Sequence, residues 1–242
     1  MNIYGKTDIG LRRKSNQDAF SYGIVSDRAR WAVVCDGMGG AKGGDIASEI
    51  AVQSVTEQMN QSLREGLDDN ALRQLLASVV ESANRAVFNR GLREPALSEM
   101  GTTIVLAAMS GERACIAHVG DSRAYLISPK ACTQLTTDHS MVQMMVENGT
   151  LTEEEAKTHP QKNVITRALG IAMGVEIDFR NYTQSDGEIL LLCSDGLSNF
   201  VEPGEMARLV LDNERRLVPK LLVDRANQNS GGDNITAVVI GQ

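Results

Sequence analysis

Four segments of the 242-residue chain share one pattern, an apolar run that meets an aspartate beside a small or flexible residue. Trp31–Cys35 runs into Asp36-Gly37, and Ala114–Val119 runs into Gly120-Asp121-Ser122. Ile189–Cys193 runs into Ser194-Asp195-Gly196, and Ile235–Ile240 is preceded by Gly232-Asp233-Asn234. One aspartate next to glycine is an ordinary turn signal. Four of them beside apolar segments point to different chemistry. Hard divalent cations are bound by several carboxylate oxygens plus water, and strand ends can converge on one rim of a sheet. Clustered aspartates without a cation repel one another, so convergence implies bound metal. A glycine beside a ligand lets the backbone approach and offers its carbonyl as a further donor. The three histidines have no zinc-like spacing and read as structural. Arg12-Arg13-Lys14, ahead of Ser15-Asn16-Gln17-Asp18, reads alone as a solvated basic turn. Beside a metal cluster, an arginine there offers planar, bidentate donors to a phosphate ester.

The elements that must position these groups follow from periodicity. β-branched apolar runs predict strands over Trp31–Cys35, Thr103–Ala108, Ala114–Val119, Ala124–Ile127, Ile189–Cys193 and Ile235–Ile240. Ile46, Ala47, Ile50, Ala51, Val55, Met59 and Leu63 recur at helical spacing, as do Leu72, Leu75, Leu76, Val79, Val80, Ala83 and Val87. A third helix is expected over Pro219–Gln228, with Leu221, Leu222 and Ala226 inward. Between the strands near 127 and 189, Gly149 reads as a helix terminator and Thr152-Glu153-Glu154-Glu155 as a capping box. His159-Pro160 then interrupts the helical pattern. The stretch at about 139–169 is expected to be a helical flap inserted in one domain spanning 1–242. Strands and helices do not alternate strictly, which predicts an α+β sandwich of antiparallel sheets with helices outside.

Composition narrows the function. Hydrophobic residues make up 42% and charged residues 23%, enough for a sizeable core. The net charge of −7 argues against a broad nucleic-acid or anionic-membrane face. No apolar run approaches the ~20 residues that cross a bilayer, and the N-terminal residues do not resemble a signal peptide. Cys35, Cys115, Cys132 and Cys193 form no CxxC pair, and three lie in apolar runs, consistent with a reducing, cytoplasmic compartment. Other phosphate chemistries fail on residue type. The positions six after the cysteines are Ala41, Asp121, Asp138 and Asn199, where a thiolate phosphatase needs arginine. Asp36-Gly37-Met38 lacks the second aspartate of an aspartyl-phosphate enzyme, and there is no P-loop. A catalytically silent regulatory module would be marked by loss of metal-binding aspartates, whereas Asp36, Asp195 and Asp233 are all present, and a structural cation binder would have little use for Arg13 or for a flap.

Six stretches in order resemble the metal-dependent PPM, or PP2C-type, protein serine/threonine phosphatases in their bacterial form. They are Thr7-Asp8-Ile9-Gly10 through Arg13-Lys14-Ser15-Asn16-Gln17-Asp18-Ala19; Val33-Val34-Cys35-Asp36-Gly37-Met38-Gly39-Gly40; Gly101-Thr102-Thr103; Ala117-His118-Val119-Gly120-Asp121-Ser122-Arg123; Leu192-Cys193-Ser194-Asp195-Gly196-Leu197; and Gly232-Asp233-Asn234-Ile235-Thr236. The resemblance implies a four-layer α-β-β-α sandwich with a metal centre at one end. In it Asp36 bridges two Mn²⁺ or Mg²⁺ ions, the Gly37 carbonyl binds one of them, and Asp195 and Asp233 complete the other's shell. A third, looser ion belongs with Asp121 and Asp195. Asp18 orients water, Arg13 grips the substrate phosphate, and the flap borders the site. Water acidified by the cations attacks phosphorus in line, with no phosphoenzyme. The implied substrates are phosphorylated proteins made by a cognate Ser/Thr kinase, and the expected state is a cytoplasmic monomer. Two positions depart from the family pattern. Met38 stands where many relatives have a histidine able to protonate the leaving alkoxide, which leaves that task to water on the Asp121 side. Gln17 replaces a glutamate of the outer metal shell and removes one charge there.

Overall fold

The central strands are continuous apolar runs because both of their faces are covered. The computed structural model describes residues 2–39 and 43–241; Gly40, the last residue of the second matching stretch, lies outside the described residues. One sheet has the order β1 (Asn2–Asp8), β11 (Ile235–Gly241), β10 (Ile189–Cys193), β7 (Arg123–Ser128), β8 (Ala131–Gln134). The other runs β2 (Asp18–Ile24), β3 (Ala29–Met38), β5 (Ile104–Ser110), β6 (Arg113–Val119), β9 (Asp178–Thr183), with the two-residue β4 (Gly101–Thr102) also on β3. Every pairing is antiparallel.

Side-chain alternation sorts each strand into two cores. On β3, Trp31, Val33 and Cys35 enter the layer beneath α1 (Gly44–Ser62) and α2 (Asp69–Arg93). Ala32 and Val34 point between the sheets, where they join Val105, Ile116, Leu190, Leu192 and Val238. On β10, Ile189, Leu191 and Cys193 turn outward under α6 (Pro203–Leu211) and α7 (Val218–Gln228). The chain is therefore the expected four-layer sandwich. A short α5 (Asp195–Ser198) follows β10 directly. Among the described residues, no helix is long and apolar enough to cross a membrane.

All six expected strands and the three expected helices are present. β1, β2, β8 and β9 carry no comparable apolar run, and each lies at the edge of its sheet. In α7 the inward residues are Leu222, Val223 and Ala226, while Leu221 is only half-buried. Segment 139–169 holds α3 (Met141–Glu147), capped by Ser140, and α4 (Glu153–Thr158), capped by the full Thr152/Glu155 box. Gly149 takes the left-handed conformation (φ 77°) that ends α3, and α4 stops at His159.

The loop after this segment is held by one buried side chain. Asn84, on α2, donates to the carbonyls of Ala172 and Met173 (3.0 Å each) and accepts from Gly170 N–H (2.8 Å). Asn84→Ala leaves those backbone groups without their partner, so the unfolding free energy should drop by about 2–3 kcal/mol in urea titrations at unchanged m-value. A loss below about 0.5 kcal/mol would mean that water replaces the amide.

Candidate active site

The aspartates meet where the ends of the two sheets face each other. Asp36 lies near the end of β3 and pairs in register with Asp18, the first residue of β2. From the other sheet, Asp195 follows β10 as the first residue of α5, and Asp233 leads into β11. Asp121 follows β6 across the Gly120 turn. The carboxyls of Asp36 and Asp195 come within hydrogen-bond reach of each other, and Asp36 feels the charges of Asp18, Asp195, Asp121 and Asp233.

Two glycines make this convergence possible. A Cβ on Gly37 would sit 2.0 Å from the carbonyl oxygen of Gly44, so the start of α1 could not close on the Asp36 strand. A Cβ on Gly196 would sit 1.9 Å from the Asn234 carbonyl oxygen, driving apart the loops that carry Asp195 and Asp233. Asp18 is buried, and its Oδ2 accepts from Ser194 Oγ and Thr236 Oγ1, both at 2.7 Å. Its Oδ1 is buried with no partner, and so is Asp195 Oδ1. Arg13 reaches in from the surface and donates from Nη2 to Asp233 Oδ2 at 2.6 Å. Two unpartnered carboxylate oxygens in a ring of five acids fit divalent cations and are hard to explain without them.

The sequence profile of the protein phosphatase 2C family matches residues 11–224. The serine/threonine phosphatase stp of Listeria innocua is 36% identical over 99% of this chain and 95% of its own length. The chain belongs to the protein phosphatase 2C family. It is a serine/threonine protein phosphatase, dependent on divalent metal. Among solved structures, Stp1 from Staphylococcus aureus superposes with a TM-score of 0.93 at 31% identity, covering 99% of this chain and 94% of that one. The catalytic domain of the protein phosphatase PstP, in complex with two manganese ions, superposes with a TM-score of 0.87 at 32% identity over 98% and 96% of the two chains.

The electrostatics of the phosphatase follow from the same crowding. Burial, and then the neighbouring carboxylates, push Asp36 and Asp121 well above the ordinary carboxylate range. Burial raises Asp18 to about 7 even though two hydroxyl donors favour its charged form. The cations bearing on Asp195 are Arg123 and Arg13, and Arg123 is already engaged by Asp138 through Nε at 2.9 Å and Nη2 at 2.6 Å. Side chains alone do not balance the cluster.

Several working residues had no signal of their own in the sequence. Ser194 precedes α5 but does not cap it, because its hydroxyl donates to Asp18 and accepts from Thr236 N–H. Asn234 staples the N-terminal loop: Oδ1 accepts from Gln17 N–H at 2.8 Å, and Nδ2 donates to the carbonyls of Ile9 and Ser15. Thr103 Oγ1 accepts from Asp36 N–H at 3.0 Å and lies 2.7 Å from Ser122 Oγ, tying the Asp36 and Asp121 strands together. Two of the histidines are not isolated. His118 and His139 stack with ring centroids 4.7 Å apart, and with Asp178 they bring three potential ligand atoms within 4.8 Å of one another. Arg167 holds that position instead, donating from Nη1 to Asp178 Oδ1 at 2.9 Å.

Stability without divalent cations should depend on pH with a definite sign. The Asp18 carboxyl holds its proton more tightly folded than unfolded, so its contribution is complete below its unfolded pKa of about 4 and is lost as pH rises through about 7. With EDTA, the melting temperature should therefore fall across this window. Added Mn²⁺ should raise it by more at about pH 8 than at about pH 5, since protonated carboxylates bind metal poorly. An Mn²⁺ shift of equal size at both pH values would count against a carboxylate-only site.

Proposed function

We propose that this phosphatase releases phosphate from phosphoserine and phosphothreonine at a centre of two Mn²⁺ or Mg²⁺ ions, and that it opposes a cognate Ser/Thr kinase. The observation that carries this reading is the joint convergence of Asp36, Asp195 and Asp233, with an orphaned buried oxygen on Asp195 and Arg13 poised at 2.6 Å from the rim. Asp36 would bridge the two ions, the Gly37 carbonyl would serve one, and Asp195 and Asp233 the other. A third, looser ion would be held by Asp121 and Asp195. When bound, the cations supply acidified water and neutralise phosphoryl charge.

The protein's own groups do the rest. Asp18 has one oxygen fixed by Ser194 and Thr236, which leaves Oδ1 free to accept a hydrogen bond from water and orient it. Arg13 is half-exposed on a flexible side chain and needs only to swing from Asp233 to meet the equatorial oxygens of a phosphate ester. Met38, at the end of β3, has no proton to give a departing serine alkoxide. The donor is then water on the Asp121 side, where a cavity of about 650 Å³ opens beside Asp121 and Asp195. Segment 139–169 contributes Ser140, Val142, Lys157 and Lys162 to that cavity, which supports reading it as the flap that meets the substrate polypeptide. The protein is read as a cytoplasmic monomer.

The direct test is phosphate release from a phosphothreonine peptide. Turnover should need Mn²⁺, vanish with EDTA, and fall at least about a hundredfold in Asp195→Asn. Arg13→Ala should mainly raise KM, about tenfold, since it removes a phosphate contact. A folded, Mn²⁺-loaded wild type without turnover would refute the reading in favour of a silent regulatory module.

The Asp121 assignment has its own test. Asp121→Asn should slow a phosphoserine peptide, whose alkoxide must be protonated, by at least about tenfold more than p-nitrophenyl phosphate, whose leaving group needs no proton. Equal losses on both substrates would remove Asp121 from leaving-group chemistry.

A further inference from the structure

His139 opens segment 139–169 and is buried, yet it makes two hydrogen bonds to one residue of the Asp121 turn. Its backbone N–H donates to the Gly120 carbonyl at 3.0 Å, and its Nδ1 accepts from Gly120 N–H at 3.1 Å. A ring nitrogen that accepts carries no proton, so the imidazole proton is on Nε2. Nε2 faces Asp178 Oδ2 at 3.4 Å and lies 3.2 Å from Arg167 Nη1, a donor that cannot hydrogen-bond to a protonated Nε2 and instead holds the other oxygen of Asp178. His118 covers the ring face and is itself fixed by donating from Nε2 to the Thr137 carbonyl at 2.9 Å. Every edge of the His139 ring is thus engaged, and its one acceptor atom is given to Gly120.

Gly120 has little freedom of its own. It sits at φ 104°, and a Cβ there would lie 2.6 Å from the Thr103 side chain. The next two residues are Asp121 and Ser122, and Ser122 is tied through Thr103 to the backbone of Asp36. The turn that presents Asp121 is therefore gripped on one side by the Asp36 strand and on the other by His139. The far end of the segment closes on the same residue, with Thr166 N–H donating to the His139 carbonyl at 2.8 Å. Ser140 pairs with Ile165 in an isolated bridge and lines the cavity beside Asp121 and Asp195.

We infer that His139 is a positioning residue of the phosphatase: through Nδ1 it sets the backbone that carries Asp121 and locks it to the base of the flap. This rests on the metal-ligand role of Asp121 given under Proposed function. The atom that matters is a single acceptor, which separates the role from simple packing. Asn places its amide oxygen near the position of Nδ1 and can still accept from Gly120, whereas the polar atoms of Gln extend toward the Asp178 side. His139→Ala should lower kcat on a phosphothreonine peptide about 10–100-fold and weaken the weakest Mn²⁺ binding step in calorimetry, run without substrate, by a similar factor. His139→Asn should restore both to within about threefold of wild type, and His139→Gln should not. If the Ala and Gln variants fail to fold, Asp178→Asn, on the half-exposed side of the ring, decides the matter: a loss of at least about threefold in both readouts supports the role, and wild-type values overturn it. Equal behaviour of folded Asn and Gln variants, or a wild-type Ala variant, also overturns it. A wild type that releases no phosphate refutes the catalytic reading instead, while the Mn²⁺ titrations still report on His139.

Discussion

Five carboxylates brought to one rim of a sandwich repel one another, and burial removes the water that would screen them. That cost shapes much of the molecule. Asp36 and Asp18 are neighbours across β2 and β3 in one sheet, and Asp195 and Asp233 flank β10 and β11 in the other. Only a stiff scaffold could hold them there against their own repulsion. The two hydrogen-bonded ladders supply the stiffness, and the three apolar layers on and between them keep the ladders in register. Divalent cations turn the same arrangement from a liability into a binding site, so metal affinity and fold stability are two aspects of one electrostatic balance.

The support around the ligands is built mostly from small polar groups. Ser194, Thr236, Thr103 and Asn234 each spend their polar atoms on a site residue or on backbone beside one, and Ser122 holds Thr103. None could be replaced by an apolar residue of similar shape without stranding a buried donor or acceptor. The division of labour is physical. Carboxylates provide charge, hydroxyls and amides fix direction, and glycines permit the close backbone approach at Gly37 and Gly196 that a side chain would block.

What could be read from the residues depended on burial. The inner strands β3, β5, β6, β7, β10 and β11 are covered on both faces, so their apolar runs are continuous and visible. β1, β2, β8 and β9 lie at the sheet edges, where sequences such as Asn2-Ile3-Tyr4-Gly5-Lys6-Thr7-Asp8 mix polar and apolar residues without a clear period. The aspartates were legible because each stands beside an apolar run or within a matching motif. Asp18 was visible only through the motif, since β2 has no run to mark it. His139 and its neighbours were not legible at all. His118 and His139 are 21 positions apart, and Asp178 comes 39 positions later; only the pairing of β6 with β9 and the closure of segment 139–169 bring them together.

The same reasoning separates the parts of the site that must be rigid from those that can move. Asp18 and Asp36 sit on paired strands under hydrogen bonds with Ser194, Thr236 and Thr103, and Asp195 opens α5 directly after β10, so their backbones are fixed by the sheets. Arg13 is held by one exposed ion pair, and exposed pairs contribute little to stability, so it can leave Asp233 at small cost. Segment 139–169 stands between these limits. Its α4 buries no side chain, while its two ends are joined by the Ser140–Ile165 bridge and the His139 cluster. A segment anchored at its base and loosely packed at its tip can shift at the tip while the Asp121 turn stays in place.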